Sequence, residues 1–364
     1  MPGPSAAFGG LSAPAESVPA DTVPAETVPA ETVPVGAVRA GAVPAASGAA
    51  VRERRWRPAA PLDVALTLSP HRRGGGDPAW RRTPDGAIWR TSRTPEGPGT
   101  LRVTASRGEV LGQAWGPGAD WLLETLPSLL GADDDVAGFA AMLARLTRSG
   151  GPSQARAAAF VAGLAGRAAG LRIGRSLRVF EALAPAVLEQ KVVGREAWRA
   201  WRFLMRRYGE PAPGPAPEGM YVIPPPEVWR AIPSWDWHRA GAEAVRARTI
   251  VNAAPHAGKL ERTVEAPAEA DRLLRALPGI GVWTSAEVRQ RAHGDPDAPS
   301  VGDFHLPGIV GYALTGRKTD DDGMLDLLEP FRGHRHRVVR LIELSGVRPP
   351  ARGPRMAPRD YRAF

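Results

Sequence analysis

The sequence predicts an α+β protein in which a small antiparallel sheet is followed by a long all-α region. Three patterns indicate this. Residues 1–56 are rich in proline and alanine, residues 61–116 alternate apolar and polar side chains, and the apolar spacing becomes helical from Trp121 onward. We therefore divide the chain into an arm (1–56), an α/β domain with connecting helices (57–168), an all-α domain (169–350) and a tail (351–364).

The arm is predicted to be disordered. From Val18 it repeats a five-residue unit, VPADT, VPAET and VPAET, in which proline recurs and large apolar residues never cluster. Such a segment buries too little apolar surface to offset the entropy that is lost on ordering. The basic stretch RERRWRP that closes the arm is either a solvated charge run at a domain edge or a contact to nucleic-acid phosphates.

The α/β domain is predicted from four short segments, VALTLS, AIWRTS, LRVTAS and EVLGQAW. Their alternation of apolar and polar residues is typical of half-buried strands. The last two segments are joined at Arg107–Gly108, which favours a tight hairpin. We expect no further strand beyond this sheet.

The net charge of the chain indicates a class of partner but does not establish it. The 364 residues carry a formal net charge of +9, and Lys191, Lys259 and Lys318 are the only lysines, so the excess is almost wholly arginine. Guanidinium groups suit partners that offer phosphate oxygens, and nucleic acid is therefore the first expectation. An equally good explanation is a compositional bias of the genome towards alanine, arginine, glycine and proline.

Two absences narrow the function class. The sequence has no cysteine, which excludes disulfides, thiolate nucleophiles, cysteine-ligated zinc and cysteine-bound iron–sulfur clusters. No stretch approaches the roughly 18 to 20 apolar residues of a membrane span, and the N-terminus has no pattern of a secretion signal. We expect a cytoplasmic protein.

A strongly amphipathic stretch, AVLEQKVVGREAWRAWRFLMRRYG, is expected to be helical. Its apolar residues fall on one stripe, which more simply belongs to a protein core than to a cofactor site. Gly209 is expected to end it. A proline-rich connector, PAPGPAPEGMYVIPPP, follows.

The segment LPGIGVWTSAEV at residues 277–288 carries the strongest functional signal. A helical pattern precedes it, and a second helix is expected from Val282 to His293, ended by Gly294. Gly279 and Gly281 are expected to adopt positive φ and to expose backbone N–H groups at a helix start, where an anion is favoured. The alternative is a plain connection between two helices.

The surroundings of this turn resemble a known motif. LPGIG, with its leading Leu-Pro, its isoleucine and its following helix, resembles the helix–hairpin–helix motif, and Asp303 in SVGDFHLPGIVGYAL follows at a characteristic distance. Together they resemble the helix–hairpin–helix/Gly-Pro-Asp superfamily of DNA base-excision glycosylases, specifically its AlkA-like 3-methyladenine DNA glycosylase branch. The resemblance covers the antiparallel domain, GLRIGRSLRVFEALAPAVLEQ, the hairpin, the aspartate and the helix FRGHRHRVVRLIEL in the family's order.

The resemblance implies a chemistry for Asp303. In such an enzyme its carboxylate would stabilise the positive charge that develops on deoxyribose and orient the attacking water. The alternative is an ordinary helix N-cap. Glycosylases of this superfamily that also cut the backbone carry a lysine just after the hairpin, where this chain has Trp283, so no lyase activity is expected.

The resemblance also implies a base pocket and a DNA interface. Trp283 would form the floor of the pocket or brace the hairpin, and Glu287 stands where relatives place a second aromatic residue. Enzymes of this family fill the gap left by the flipped base with a wedge side chain, and Gln190 matches the residue beside it. Lys191 stands where a leucine is expected. It either binds a phosphate or leaves the role of the wedge to Val192. The predicted DNA contacts are Gln190, Lys191, Pro278, Gly279, Ile280, Gly281, Thr284, His334 and Arg335.

The last two contacts belong to GHRHRVVR, read as a clamp on the DNA strand that flanks the flipped nucleotide. No metal site is expected from its histidines, because residues two apart do not share a helical face. His305 either faces DNA or packs. No cofactor is required, although the family's hairpin carbonyls often hold a monovalent cation.

The sequence therefore predicts a monofunctional DNA N-glycosylase that removes alkylated purines, such as 3-methyladenine and 7-methylguanine, from double-stranded DNA and leaves an abasic site. It would act as a monomer on the nucleoid. Two alternatives stay open: the same fold acting on deaminated or oxidised bases, and a non-catalytic helix–hairpin–helix module that only binds DNA.

Overall fold

The computed structural model describes residues 51–350. The predicted arm as far as residue 50 and the predicted tail at 351–364 lie outside the described residues. No helix in the described part of the chain has the length and apolar character needed to cross a membrane.

The N-terminal part is an antiparallel sheet, as predicted, with five strands in the order β1-β5-β4-β3-β2. The segment VALTLS, predicted to be a strand, instead forms a short helix at Val64–Leu68, because the Asp63 side chain caps its first turn by accepting the N–H of Leu66. The strands are β1 (Arg52–Trp56), β2 (Trp80–Arg82), β3 (Ile88–Thr94), β4 (Gly97–Ser106) and β5 (Glu109–Trp115). Arg107 and Gly108 have φ of 51° and 75° and connect β4 to β5 in the predicted tight turn. Apolar residues of one face pack against two short helices that follow the sheet.

The arm ends earlier than predicted. Arg52–Trp56, assigned to it by the sequence, form edge strand β1 and pair with β5 from Arg52 opposite Ala114 to Trp56 opposite Val110. The segment was read as a charge run because four of its five side chains are polar. An edge strand can carry such residues, since backbone hydrogen bonds hold it in place and charged side chains prevent further pairing.

Helices make up most of the remainder. The first group is α1 (Val64–Leu68), α2 (Ala119–Glu124), α3 (Leu126–Leu129), α4 (Val136–Ser149), α5 (Pro152–Arg167), α6 (Val179–Leu188) and α7 (Gly194–Tyr208). The second group is α8 (Pro226–Ala231), α9 (Ser234–Ala240), α10 (Ala244–Ala253), α11 (Ala257–Glu261), α12 (Ala270–Arg275), α13 (Val282–Val288), α14 (Leu306–Thr315), α15 (Asp321–Leu328) and α16 (Arg335–Leu344). A π-helical turn, Arg289–His293, extends α13 as far as Gly294, which has φ of 66°.

The predicted amphipathic helix is interrupted. It forms two helices, α6 and α7, separated by a loop at residues 189–193 in which Lys191 has φ of 54°. The apolar stripe of α7 is buried, as predicted, and α7 ends before Gly209. The interruption places Gln190 and Lys191 in a loop rather than on a helix face.

Two strands in the proline-rich connector contradict the expectation of an all-α second half. β6 (Glu210–Pro211) and β7 (Tyr221–Val222) form a small antiparallel ribbon. Met220, beside β7, is buried against Trp89 and Trp115 of the five-stranded sheet. The short connector therefore adds to the sheet domain although it lies within the later part of the sequence.

The domain boundary predicted at residue 168 is also incorrect in terms of packing. The apolar residues of α4 and α5, including Phe139 and Val161, share a core with α14, α15 and α16. A second core joins α6 to α13, and a third lies between the sheet and α2 and α3. The connecting helices thus belong to the C-terminal helical layer and not to the sheet.

Candidate functional site

A glycine turn between α12 and α13 forms one edge of the candidate site. Gly279 has φ of 88°, and a Cβ atom there would lie 2.2 Å from Thr249 Oγ1, so only glycine fits. Gly281 has φ of −96°, so the prediction of positive φ is wrong for this residue. Ile280 is 5% exposed and packs in the core that α6 and α13 share, which fixes the turn to the protein.

The outer face of this turn is open to a ligand. Pro278, Gly279, Gly281 and Val282 are exposed. The first N–H groups of α13 have no acceptor within the helix, as at any helix start. Backbone donors, together with the helix dipole, make this face suitable for a phosphate group.

Gln190 fastens the hairpin to the loop between α6 and α7. Its side-chain amide donates to the carbonyl of Gly279 at 2.9 Å and to Thr284 Oγ1 at 2.8 Å. Thr284 is 2% exposed, so its predicted role as a DNA contact is wrong and it instead supports the hairpin from inside. Lys191, next to Gln190, is exposed, and Val192 is partly buried against the core.

Backbone carbonyls of the hairpin take part in hydrogen bonds that fix the turn. Those of Leu277, Gly279 and Gly281 each accept one N–H, from Ile280, Gln190 and Ser285 respectively. A carbonyl oxygen has a second lone pair, so each retains the capacity to bind a hard cation.

Asp303 lies in the loop before α14, and three hydrogen bonds orient its carboxylate. Oδ1 accepts the backbone N–H groups of His305 at 2.8 Å and Leu306 at 2.9 Å. Oδ2 accepts the indole N–H of Trp283 at 3.3 Å. The capping interpretation and the catalytic interpretation are thus compatible, since one oxygen caps α14 while the other is held beside the hairpin helix.

A cleft of about 1650 Å³ opens at this carboxylate. Its mouth is lined by Trp283, Asp303 and Phe304, and Phe304 is 86% exposed. His305 and Lys318 lie on the same rim. The cleft runs inward between α13 and α16 and reaches the sheet domain at His71. We call its deep end, lined by His71, Glu287, Arg291 and His336, the inner chamber.

Glu287 is part of a charged network in the inner chamber. Its Oε2 pairs with Arg291 Nη1 at 2.8 Å, and its Oε1 accepts the hydroxyl of Ser300 at 2.6 Å. Burial alone would raise the pKa of Glu287, but the charge of Arg291, the Ser300 hydrogen bond and the charge of Arg73 outweigh it and hold the pKa below its usual value. Glu287 therefore lines the pocket as an ion-paired carboxylate.

The two histidines of the inner chamber are neutral. Burial holds the pKa of His71 well below 6.5, and the charges of Arg90, Arg291 and Arg73 lower it further. Burial does the same for His336, assisted by Arg340, Arg291 and Arg337. His336 is 6% exposed, and its Nδ1 atom is buried without a hydrogen-bond partner in the described region.

The predicted DNA clamp at the start of α16 is wrong. His334 is 6% exposed, packs on Phe139 with ring centroids 5.1 Å apart, and has a pKa lowered by burial and by Arg337. Arg335 is held by Asp297, with Nε at 2.8 Å from Oδ1 and Nη2 at 2.6 Å from Oδ2. These side chains fasten α16 to neighbouring segments: His334 is buried, and Arg335 is half-buried in its ion pair with Asp297.

Several side chains that line the cleft were not predicted from the sequence. Arg291 could have been found, because it stands four residues after Glu287 on the same helix, the spacing of a helical ion pair. His71 gave no signal, since it comes from the sheet domain and reaches the cleft only through the tertiary fold. Among residues 51–350, no group of three or more histidine or acidic side chains is arranged to hold a metal ion.

Known structures share this architecture. The 3-methyladenine DNA glycosylase of Archaeoglobus fulgidus superposes with a TM-score of 0.64 at 17% identity, covering 79% of this chain and 97% of that one. The apo-form of the 8-oxoguanine glycosylase/lyase of Clostridium acetobutylicum gives 0.61 at 13% identity, covering 80% and 97%. Its complex with double-stranded DNA that contains cytosine opposite 8-oxoG gives 0.58 at 12% identity, covering 82% and 98%.

The likeness is one of fold. The chain has the fold of the helix–hairpin–helix/Gly-Pro-Asp DNA glycosylases, with a hairpin and an aspartate beside a cleft. No protein-family model matches the sequence, and no curated protein matches it.

Proposed function

We propose that this protein is a DNA N-glycosylase that everts an alkylated purine, of the 3-methyladenine or 7-methylguanine type, from double-stranded DNA and hydrolyses its N-glycosidic bond. The observation that carries the proposal is the Asp303 carboxylate, hydrogen-bonded to Trp283 at the mouth of a cleft beside the exposed glycine turn. The fold supports it, since structures with this fold are DNA glycosylases, one of them bound to double-stranded DNA.

Asp303 would act on charge that develops during bond cleavage. As the base leaves, positive charge builds up on deoxyribose, so a fixed carboxylate stabilises the transition state more than the ground state. The bonds from His305 and Leu306 hold Asp303 in place and avoid reorganisation during the reaction. The same carboxylate would orient the attacking water.

The enzyme would be monofunctional and leave an abasic site. Trp283 occupies the place after the hairpin where a lyase needs an amine, and an indole cannot form a Schiff base with the sugar. Lyase activity is the competing outcome, because Lys318 lines the rim of the same cleft and carries an amine. Trapping of a covalent protein–DNA adduct with borohydride would assign lyase chemistry to the protein and contradict the monofunctional proposal.

The substrate class follows from the aromatic residue at the mouth. The partly exposed indole of Trp283 is an electron-rich surface on which a cationic, alkylated base stacks favourably. A second candidate is a deaminated or oxidised base, which the hydrogen-bonding side chains of the inner chamber favour. Duplexes that each carry one lesion, scored for abasic-site formation, distinguish the two.

Backbone contacts would hold the DNA. The amides after Pro278 would grip one strand, Lys191 would lie beside it, and a monovalent cation at the hairpin carbonyls would strengthen the grip on phosphate. Contacts of this kind carry no sequence information, as suits an enzyme that searches for damage. We propose that it works as a monomer on the DNA of the nucleoid.

Asp303→Asn tests the catalytic role. Asparagine retains an oxygen that can cap α14, so we expect the fold and the binding of abasic-site DNA to survive while release of 7-methylguanine falls by about 100-fold or more. Asp135→Asn is the matched control, because Asp135 caps α4 through Gly138 and does not line the cleft. Retained turnover in Asp303→Asn would remove the residue from catalysis.

The same assay separates an enzyme from a binding module. Wild-type protein that binds methylated duplex but releases no base from any lesion during long incubation would support the non-catalytic alternative.

A further inference from the structure

The cleft is larger than recognition of a methylated base requires. Its volume of about 1650 Å³ exceeds the roughly 300 to 1,000 Å³ of most small-ligand pockets. At about 1.5 Å per residue, Glu287 and Arg291 lie roughly 6 and 12 Å beyond Trp283 along α13 and its π-helical extension. A purine stacked on Trp283, with its sugar at Asp303, would leave the inner chamber for whatever the base carries.

Arg291 can donate into this space. Its Nε atom donates to the carbonyl of Pro70 at 2.9 Å, and its Nη1 atom is engaged by Glu287. Its Nη2 atom enters none of the hydrogen bonds found within residues 51–350. The ion pair with Glu287 offsets the charge of the guanidinium, so the chamber does not demand an anionic partner.

The two histidines add neutral donors and acceptors. No hydrogen bond to the ring of His71 or His336 is found within the described region, and both residues line the cleft. Nδ1 of His336 is enclosed by protein, so Nε2 is the nitrogen of that ring that a ligand can reach. A neutral imidazole carries one donor and one acceptor nitrogen. Buried polar groups of this kind normally have partners, so a ligand that supplies them would be favoured.

We propose that the inner chamber binds a neutral, hydroxyl-bearing substituent of the damaged base, so that the enzyme excises purines alkylated with extended polar chains and not only methylated ones. This rests on the proposed glycosylase function. His71, Arg291 and His336 are then specificity-determining residues: they hold the substituent while Asp303 acts at the sugar.

The test compares three guanine lesions in one duplex sequence: N7-methyl, N7-(2,3-dihydroxypropyl) and N7-propyl guanine. Single-turnover release of each free base is measured by chromatography for wild type, His336→Phe, His336→Gln and His71→Phe. His256→Phe, at an exposed position outside the cleft, is the control. Thermal melting and binding to abasic-site DNA report whether each variant is folded.

We expect wild type to release the dihydroxypropyl base at least as fast as the methyl base and faster than the propyl base. His336→Phe and His71→Phe should each slow release of the dihydroxypropyl base by about tenfold more than release of the methyl base, the effect of a lost hydrogen bond. His336→Gln, which keeps a donor and an acceptor, should recover part of the loss.

Three results would overturn the proposal. In the first, wild type releases the methyl base alone. In the second, it releases the propyl and dihydroxypropyl bases at equal rates. In the third, folded Phe variants lose activity on all lesions to the same extent. Each of these leaves the glycosylase function standing, whereas no release of any base by wild type would remove both proposals.

Discussion

Gly279 offers a sharp test of the hairpin, because a second glycine two residues away serves as its control. Alanine at 279 would adopt φ near 88°, which costs about 1 to 3 kcal/mol, and its Cβ atom would lie 2.2 Å from Thr249 Oγ1. Overpacking of that kind adds about 1 to 3 kcal/mol. We expect Gly279→Ala to destabilise the protein by about 2 to 4 kcal/mol after partial relaxation.

Gly281→Ala should behave differently. Gly281 has extended backbone angles, and nothing lies within 4 Å of a Cβ atom placed there. Alanine should therefore change stability by less than about 1 kcal/mol, because restriction of the unfolded chain is offset by the preference of a helix N-cap for glycine over alanine. The assay is urea unfolding of both variants and of Gly279→Ala/Thr249→Ala, in which truncation of Thr249 should restore about 1 kcal/mol by relieving the contact.

The same variants connect the turn to DNA binding. Gly279→Ala should weaken binding to abasic-site DNA, since it displaces the amides that follow Pro278. Equal unfolding free energies for Gly279→Ala and Gly281→Ala would refute the account of the turn. So would a double variant no more stable than Gly279→Ala.

Two further predictions concern buried polar groups. Burial and the charges of Arg289 and Arg175 lower the pKa of His293 from 6.5 to about 4. Between pH 6.5 and pH 4 the unfolded chain therefore binds more protons than the folded one. The free energy of unfolding should fall by up to about 3 kcal/mol as the pH drops from 6.5 to 4. His293→Gln should remove that part of the pH dependence of urea unfolding, and an unchanged profile would contradict the assignment. Arg335→Ala should lower the melting temperature, because Asp297 loses its partner. The salt dependence of DNA binding should not change. A weaker salt dependence of DNA binding in the variant would show that Arg335 contacts DNA.

The sequence was most informative where local chemistry decides the structure. A proline and two glycines around an isoleucine specify a short turn, and the following helix start needs no distant partner. The fold class, the hairpin between β4 and β5, and the position of Asp303 before a helix could be predicted for this reason. The actual backbone angles of Gly281 could not, because an extended residue before a helix is as acceptable as a left-handed one.

The misplaced DNA clamp and the unpredicted inner chamber have one physical origin. Arg335 resembles a surface residue until Asp297, far away in sequence, is brought beside it by the fold. His334 likewise is covered by Phe139 of α4. The inner chamber depends on His71, Glu287 and His336, from three separate segments, and no periodicity in any one of them indicates that they meet.

The packing of α4 and α5 against α14, α15 and α16 has a consequence for biosynthesis. Contacts between segments so far apart in sequence form slowly, because a long loop must close before they stabilise anything. During synthesis on the ribosome, the apolar faces of α4 and α5 would stay exposed to solvent until α16 had left the exit tunnel. A chaperone would protect the nascent chain from aggregation during that period.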